Sequence, residues 1–304
     1  MRVDDIRRIA VIGAGLMGHG IAQEFAVAGY QVRLHDTSDE LLRGALERIE
    51  GNLALQVAAG AIDRDVAGAA PARLQPTTSL AEAGAGADVV VEAVFEDLAL
   101  KQHIFAELDR ICPARAILAS NTSSYMPGKL AGVTGRPGQV LVAHYFNPPH
   151  LMPLVELVRH PGTSDATVET LHTLYTRMGK RPAVIRKEAP GFIANRLQLA
   201  IWREAAHIVA SDIGSPEDVD TVVRYSFGRR YAAAGPFELG ALISPDVRRA
   251  VAAEIVPDLA SGTDIVERVG DRGAYALPAE RVEEVRLRVA RMLLELARLE
   301  RRPV

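Results

Sequence analysis

The stretch IAVIGAGLMGHG, Ile9 to Gly20, runs from a β-branched apolar segment through spaced glycines into a helical pattern. Gly13, Gly15 and Gly18 stand in G-x-G-x-x-G spacing, and each position has a physical reason. The first permits a tight turn out of the strand, the second lets a pyrophosphate approach the backbone, and the third lets the helix pack closely on the sheet. Leu16 and Met17 complete the loop and are read with it as cofactor contacts. Phosphates would rest on the free N–H groups at the positive end of that helix. Glycine turns also occur for packing alone, so the surroundings matter. Asp36 ends the next apolar segment, 18 residues after Gly18, where its carboxylate can accept from an adenosine ribose hydroxyl. Strand, loop, helix, strand and acid in this order predict a dinucleotide site. With no cation at Thr37 or Ser38 to offset Asp36, the expected cofactor is NAD rather than NADP.

Outward from this loop, short β-branched runs alternate with longer helical stretches, the pattern of a parallel sheet covered on both faces. Strands are expected at Arg8–Ile12, Gln31–His35, Asp88–Val94, Ala116–Ala119, Val140–Tyr145, Leu154–Val158 and Ala183–Ile185. Gly51–Gln75, rich in alanine and glycine, reads as a helical arm and loop. After the polar turn Arg186–Gly191 a long helical pattern, Phe192–Ala210, begins, and the chain ends in an amphipathic stretch, Pro278–Arg301. The expected fold class is α/β: an N-terminal Rossmann-type doubly wound sheet over residues 1–187, followed by an all-α C-terminal domain over residues 188–304. On the long helix, Trp202, Ala205, Ala206 and Val209 share one face, which predicts a homodimer through the helical domain.

The balance of 35 Lys and Arg against 38 Asp and Glu provides no basic field for a polyanion, so nucleic acid is not expected as a partner. Cys112 is the single cysteine, no Cys/His cluster has metal-ligand spacing, and no window approaches the length of a membrane span. The reading is a cytoplasmic, soluble protein with no metal and a small-molecule substrate.

Two segments carry candidate chemistry, VLVAHYFNPPHLMPLVELV (Val140–Val158) and SNTSS (Ser120–Ser124). Glu156 lies within an apolar strand, where an unpaired carboxylate would be costly to bury. His144 ends the preceding strand, and the Asn147-Pro148-Pro149 turn can bring the two side by side. A carboxylate on one imidazole nitrogen fixes the tautomer and leaves the other to take a hydroxyl proton during hydride transfer. Ser123 and Asn195 are residue types that can donate to substrate oxygens, although such side chains usually satisfy nearby backbone.

At these residues the chain resembles the L-3-hydroxyacyl-CoA dehydrogenase family over nearly its whole length, in IGAGLMGHGIA, VVVEAVFEDLALKQHIF, SNTSSY, AHYFNPPHLMPLVELV, APGFIANRL and GPFEL. The resemblance implies His144 as catalytic base and Glu156 as its orienting carboxylate. It implies Ser123 and Asn195 at the reacting end of the substrate, and Glu96, Lys101 and Asn121 near the nicotinamide and its ribose. It also implies oxidation of the 3-hydroxyl of an L-3-hydroxyacyl-CoA. Some features depart from the CoA-using pattern: GPFEL continues as GALISPD, Gly273-Ala274-Tyr275 replaces a Gly-Phe-Tyr element, and Gly51–Gln75 contains no lysine where the family carries a lysine-rich arm. SPEDVD and GRRYAAAGPFE are similar to the L-gulonate 3-dehydrogenase and lambda-crystallin branch, whose members act on free polar hydroxy acids. A free 3-hydroxy acid is therefore the alternative substrate, and a non-catalytic, crystallin-like NAD-binding protein the alternative class.

Overall fold

The computed structural model describes residues 1–262 and 277–300, and Gly273-Ala274-Tyr275 lies outside them. The chain forms two compact units: Met1–Ile193 together with the terminal helix from Glu283, and the stretch from Ala194 to Val282. The division expected after Lys187 falls within the turn that precedes this junction. A division at a single point also makes no allowance for a terminal helix grouped with the first unit.

The first unit is built on an eight-stranded sheet of order β3-β2-β1-β4-β5-β6-β7-β8. The strands are β1 Arg8–Ile12, β2 Gln31–His35, β3 Leu74–Thr77, β4 Val89–Glu92, β5 Ile117–Ser120, β6 Val140–Tyr145, β7 Leu154–Val158 and β8 Arg181–Ile185. All neighbours pair in parallel except β6 with β7, which run antiparallel. The central strands β4, β5 and β6 are buried at every position, as expected when helices cover both faces. One face packs Ile9, Val11, Val32, Leu34 and Val91 under helices α1 (Gly18–Val27) and α2 (Asp39–Ala58). The other packs Ala10, Ile12, Val90 and Leu118 under α4 (Leu80–Gly84) and α5 (Leu98–Ile111). A short α3 (Arg64–Ala69), α6 (Pro127–Ala131) and α7 (Asp165–Arg177) complete the unit.

Three expectations are corrected. The arm Gly51–Gln75 is the end of α2, then α3 and a 3-10 turn, and then the start of β3, a strand not anticipated. The reason is position: β3 sits at the sheet edge, so Pro76 within it disrupts no second neighbour. The strand around Val91 is shorter than Asp88–Val94, running from Val89 to Glu92, and at its end the Val94 N–H turns to the Glu92 carboxylate at 2.8 Å instead of a neighbouring strand. The long helix starts at Ala194 rather than Phe192, because Phe192 holds a φ of 52°, in the left-handed region.

The described residues of the second unit contain helices and connecting turns but no strand: α8 Ala194–Ala210, α9 Pro216–Tyr225, α10 Phe227–Tyr231, α11 Pro236–Ala241 and α12 Pro245–Ile255. Ser215 caps α9 in a reciprocal capping box with Asp218. Among its described hydrophobic side chains only Ala206 is buried, while Phe237 is 92% and Leu242 81% exposed. Trp202, Ala205, Ala206 and Val209 line an open groove with Pro216 and Val219. No described helix is long and apolar enough to cross a membrane.

Candidate functional site

Strand order reverses between β1 and β4, so the crevice at the carboxyl ends of these strands is where such a sheet takes a ligand. Gly13 leaves β1 with a φ of 99°, and a Cβ there would lie 2.6 Å from the Ala93 carbonyl oxygen. A Cβ at Gly18 would lie 1.7 Å from the Gly13 carbonyl oxygen, so the helix approaches the turn as the spacing requires. A Cβ at Gly15 would meet nothing within 4 Å, which leaves the loop open on the side that a pyrophosphate approaches. No side chain caps the N-terminus of α1, so that end of the helix is not closed off from phosphates. Leu16, on the same loop, is 69% exposed. Asp36 accepts the Ala14 N–H at 2.7 Å and the Thr37 N–H at 2.7 Å, which holds its carboxylate beside the loop. The cap of α2 is Ser38, whose hydroxyl accepts the Leu41 N–H, so capping does not occupy Asp36. These residues fit a bound dinucleotide.

At the ends of β4 and β5 lies a charged cluster. The Lys101 ammonium is buried, 2.7 Å from Glu92 and 3.2 Å from Glu96. Ser120 donates to the other oxygen of Glu92 at 2.6 Å. Glu96 accepts from the hydroxyls of Thr122 and Ser124. Burial disfavours the Glu96 carboxylate, but those hydroxyls and Lys101 more than offset this and hold its carboxyl below the ordinary range. Asn121 accepts the Tyr145 N–H at 2.9 Å and thereby ties the end of β5 to the end of β6.

His144 and Glu156 face each other in the antiparallel register of β6 and β7. Nδ1 of His144 lies 2.9 Å from Oε2 of Glu156, with both residues buried. An ionised carboxylate only accepts, so this contact places the proton on Nδ1 and leaves Nε2 as the free lone pair. The second carboxylate oxygen accepts the Ile193 N–H at 3.0 Å. The imidazole is packed by Phe146, 4.6 Å away between ring centroids, and by the edge of Phe192 at 5.5 Å.

The structure thus brings His144 to Glu156, groups Glu96 with Lys101, and ties Asn121 to the strand that carries His144. Ser123 lies partly buried between Thr122 and Ser124, and Asn195 stands in the first turn of α8, in the second unit. Sequence reasoning missed Glu92 and the support from Phe192 and Ile193. The Pro190-Gly191 pair was the available signal for the latter two, since it marks a turn just after the last strand. Among the described residues no cluster of His, Cys, Asp or Glu is placed to hold a metal ion.

Residues 8–189 match the family described as 3-hydroxyacyl-CoA dehydrogenase, NAD binding domain, and residues 191–299 match the C-terminal domain of the same family. A human lambda-crystallin homolog is 41% identical over 231 residues, which cover 76% of this chain and 72% of that one. A probable 3-hydroxybutyryl-CoA dehydrogenase of Bacillus subtilis is 38% identical over 242 residues, covering 80% and 83%. The crystal structure of 5-formyl-3-hydroxy-2-methylpyridine 4-carboxylic acid 5-dehydrogenase, described as an NAD+-dependent dismutase, superposes with a TM-score of 0.87. It is 28% identical, and the match covers 98% of this chain and 100% of that one. With the glycine loop, the acid after β2 and the buried imidazole–carboxylate pair all in place, the chain belongs to the 3-hydroxyacyl-CoA dehydrogenase family and is an NAD-dependent dehydrogenase acting on a hydroxyl group.

Proposed function

We propose that the chain oxidises the 3-hydroxyl of an L-3-hydroxyacyl-CoA thioester to the 3-keto form, or runs the reverse reaction. The observation that carries this reading is the buried His144–Glu156 pair at 2.9 Å. Bound NAD supplies the hydride acceptor. In oxidation, Nε2 of His144 takes the hydroxyl proton, and Glu156 holds the ring and stabilises the imidazolium that forms. The Ile193 N–H fixes the carboxylate from the other side. Ser123 and Asn195 would donate to the substrate oxygens, where negative charge is greatest in the transition state. Glu96, Lys101 and Asn121 would orient the nicotinamide end. Support for the second unit as a dimer interface comes from its apolar surface, with only one buried hydrophobic side chain among those described. We read the assembly as a cytoplasmic homodimer.

A free polar 3-hydroxy acid is the second reading, favoured by a specific observation. The arm after β2 has no lysine between Gly51 and Gln75, and Arg48, the cation next to it, donates to the Ala14 carbonyl in the glycine loop at 3.0 Å. The arm's own cations are Arg64 and Arg73, set beside Asp63 and Asp65, so a phosphorylated nucleotide gains little charge-assisted binding from it. Oxidation of NADH, followed by absorbance with acetoacetyl-CoA beside free acetoacetate, separates the readings. A much lower KM for the thioester supports the first, and an equal or lower KM for the free acid replaces it with the second.

A further inference from the structure

Between the strands that carry His144 and Glu156 lies the loop Phe146–Pro153, and the rest of the first unit grips it at several backbone atoms. The Lys180 ammonium, just before β8, donates to the Pro149 carbonyl at 2.7 Å and to the Met152 carbonyl at 3.2 Å. Its third partner is Glu24 of α1 at 2.5 Å, and both side chains are largely buried. The same ammonium stands 6.0 Å from the centroid of the Tyr145 ring, next to His144. From α2, Gln56 donates to the His150 carbonyl at 2.9 Å and accepts from Gln23 of α1 at 2.7 Å. Pro149 packs on Gly20 of α1, where any side chain would press on its ring.

Every one of these grips leads to α1 or α2, and α1 is the helix whose N-terminus receives the dinucleotide. The loop therefore couples the nucleotide cradle to the strand pair that holds the base. Stability alone does not account for Glu24 and Lys180, because desolvating an ion pair is costly and a well-packed apolar pair of similar size serves stability as well or better. We propose that Lys180, Glu24 and Gln56 are positioning residues, which fix the loop on α1 and α2 and so set where the His144 imidazole stands relative to the nucleotide cradle. The proposal rests on the reading of His144 as the base.

The test compares three variants with the wild-type full chain: Glu24→Leu/Lys180→Met, the milder Gln56→Glu, and His144→Ala as control. Turnover is measured with NADH and whichever of acetoacetyl-CoA and acetoacetate the wild type reduces. NADH affinity is followed by fluorescence, melting by calorimetry, and amide exchange over residues 146–153 without ligand. A misplaced base lowers kcat by about 10- to 100-fold, while NADH affinity and KM stay within about twofold. Melting of the double variant is expected to fall modestly, because the Pro149 and Met152 carbonyls lose their donor, and exchange over 146–153 to quicken while α1 is unchanged. Gln56→Glu keeps the acceptor for Gln23 but loses the donor to His150, so it should move kcat and exchange in the same direction by less. Wild-type kcat in either folded variant overturns the proposal, as does a loss in which NADH affinity falls and KM rises together with the fall in kcat. If His144→Ala itself retains turnover, the underlying reading of the base has failed instead.

Discussion

At the scale of single residues, the buried imidazole and its carboxylate divide the work unequally. In the proposed mechanism His144 receives the proton, whereas Glu156 acts through the ring it holds, so the two should differ when replaced. His144→Ala is expected to lose about two to four orders of magnitude in kcat, the usual worth of a general base, with NADH affinity unchanged. Glu156→Gln should lose less, because an amide oxygen can still accept from Nδ1. Steady-state kinetics beside NADH fluorescence titration checks both, and near-wild-type turnover in folded His144→Ala would sink the mechanism. Asp36 sets a second residue-scale expectation. Its carboxylate, held by two backbone N–H groups at the end of β2, would face the 2'-phosphate of NADP as a like charge. Catalytic efficiency should favour NAD by roughly a hundredfold or more, and comparable efficiency with the two cofactors would rule this out.

At the scale of elements, the loop between β6 and β7 carries a buried histidine that links folding to pH. Burial, together with the neighbouring His19 and Lys180, pushes the His150 imidazole down from 6.5 to about 4. Burial also lowers His19, which packs on the Gly15 carbonyl oxygen. A depressed histidine is neutral in the folded chain while the unfolded chain binds the proton. Its contribution is thus fully present above about 6.5 and is lost as pH falls from there towards about 4, by roughly 3 kcal/mol for His150. Urea unfolding of the wild type between neutral pH and pH about 4.5 should show this loss, and His150→Asn should flatten it. An unchanged pH dependence in that variant would remove His150 as its cause.

For the whole molecule, the two units differ in how they handle apolar surface. The first buries clusters on both faces of its sheet. The second leaves Trp202, Val222, Tyr225, Phe237 and Leu242 exposed, a surface that a soluble chain does not ordinarily leave uncovered. The expected outcome is a homodimer through this unit at micromolar concentration, measured by light scattering. Replacing Trp202 and Val222 together with charged residues should shift the population towards monomer. A wild-type monomer in that measurement would decide against the dimer.

Much of this protein was legible along the chain because the relevant physics is local. The glycine spacing, the acid after the second strand and the β-branched runs each depend on residues within one βαβ unit, and they gave the doubly wound sheet and its cofactor. Five of the seven expected strands begin or end at the expected residue; the two that miss at both ends are the fully buried β4 and β5, whose apolar runs continue past the ladder and so do not mark its limits. The His144–Glu156 pair was also legible, since a carboxylate in an apolar strand requires a partner and the turn between the strands is short. Other features depend on contacts between distant segments, which no local pattern encodes. The edge strand β3 carries a proline and few apolar residues, and only its pairing with β2 makes it a strand. The start of α8 is displaced by the positive φ of Phe192, a conformation its side-chain type does not announce. Lys180 meets Glu24 across 156 positions of sequence, and Gln56 meets His150 across 94. Sequence by itself determined the class, the cofactor and the dyad, while tertiary structure alone decided what holds the dyad in place, because burial and hydrogen-bond partners exist only once distant segments have packed.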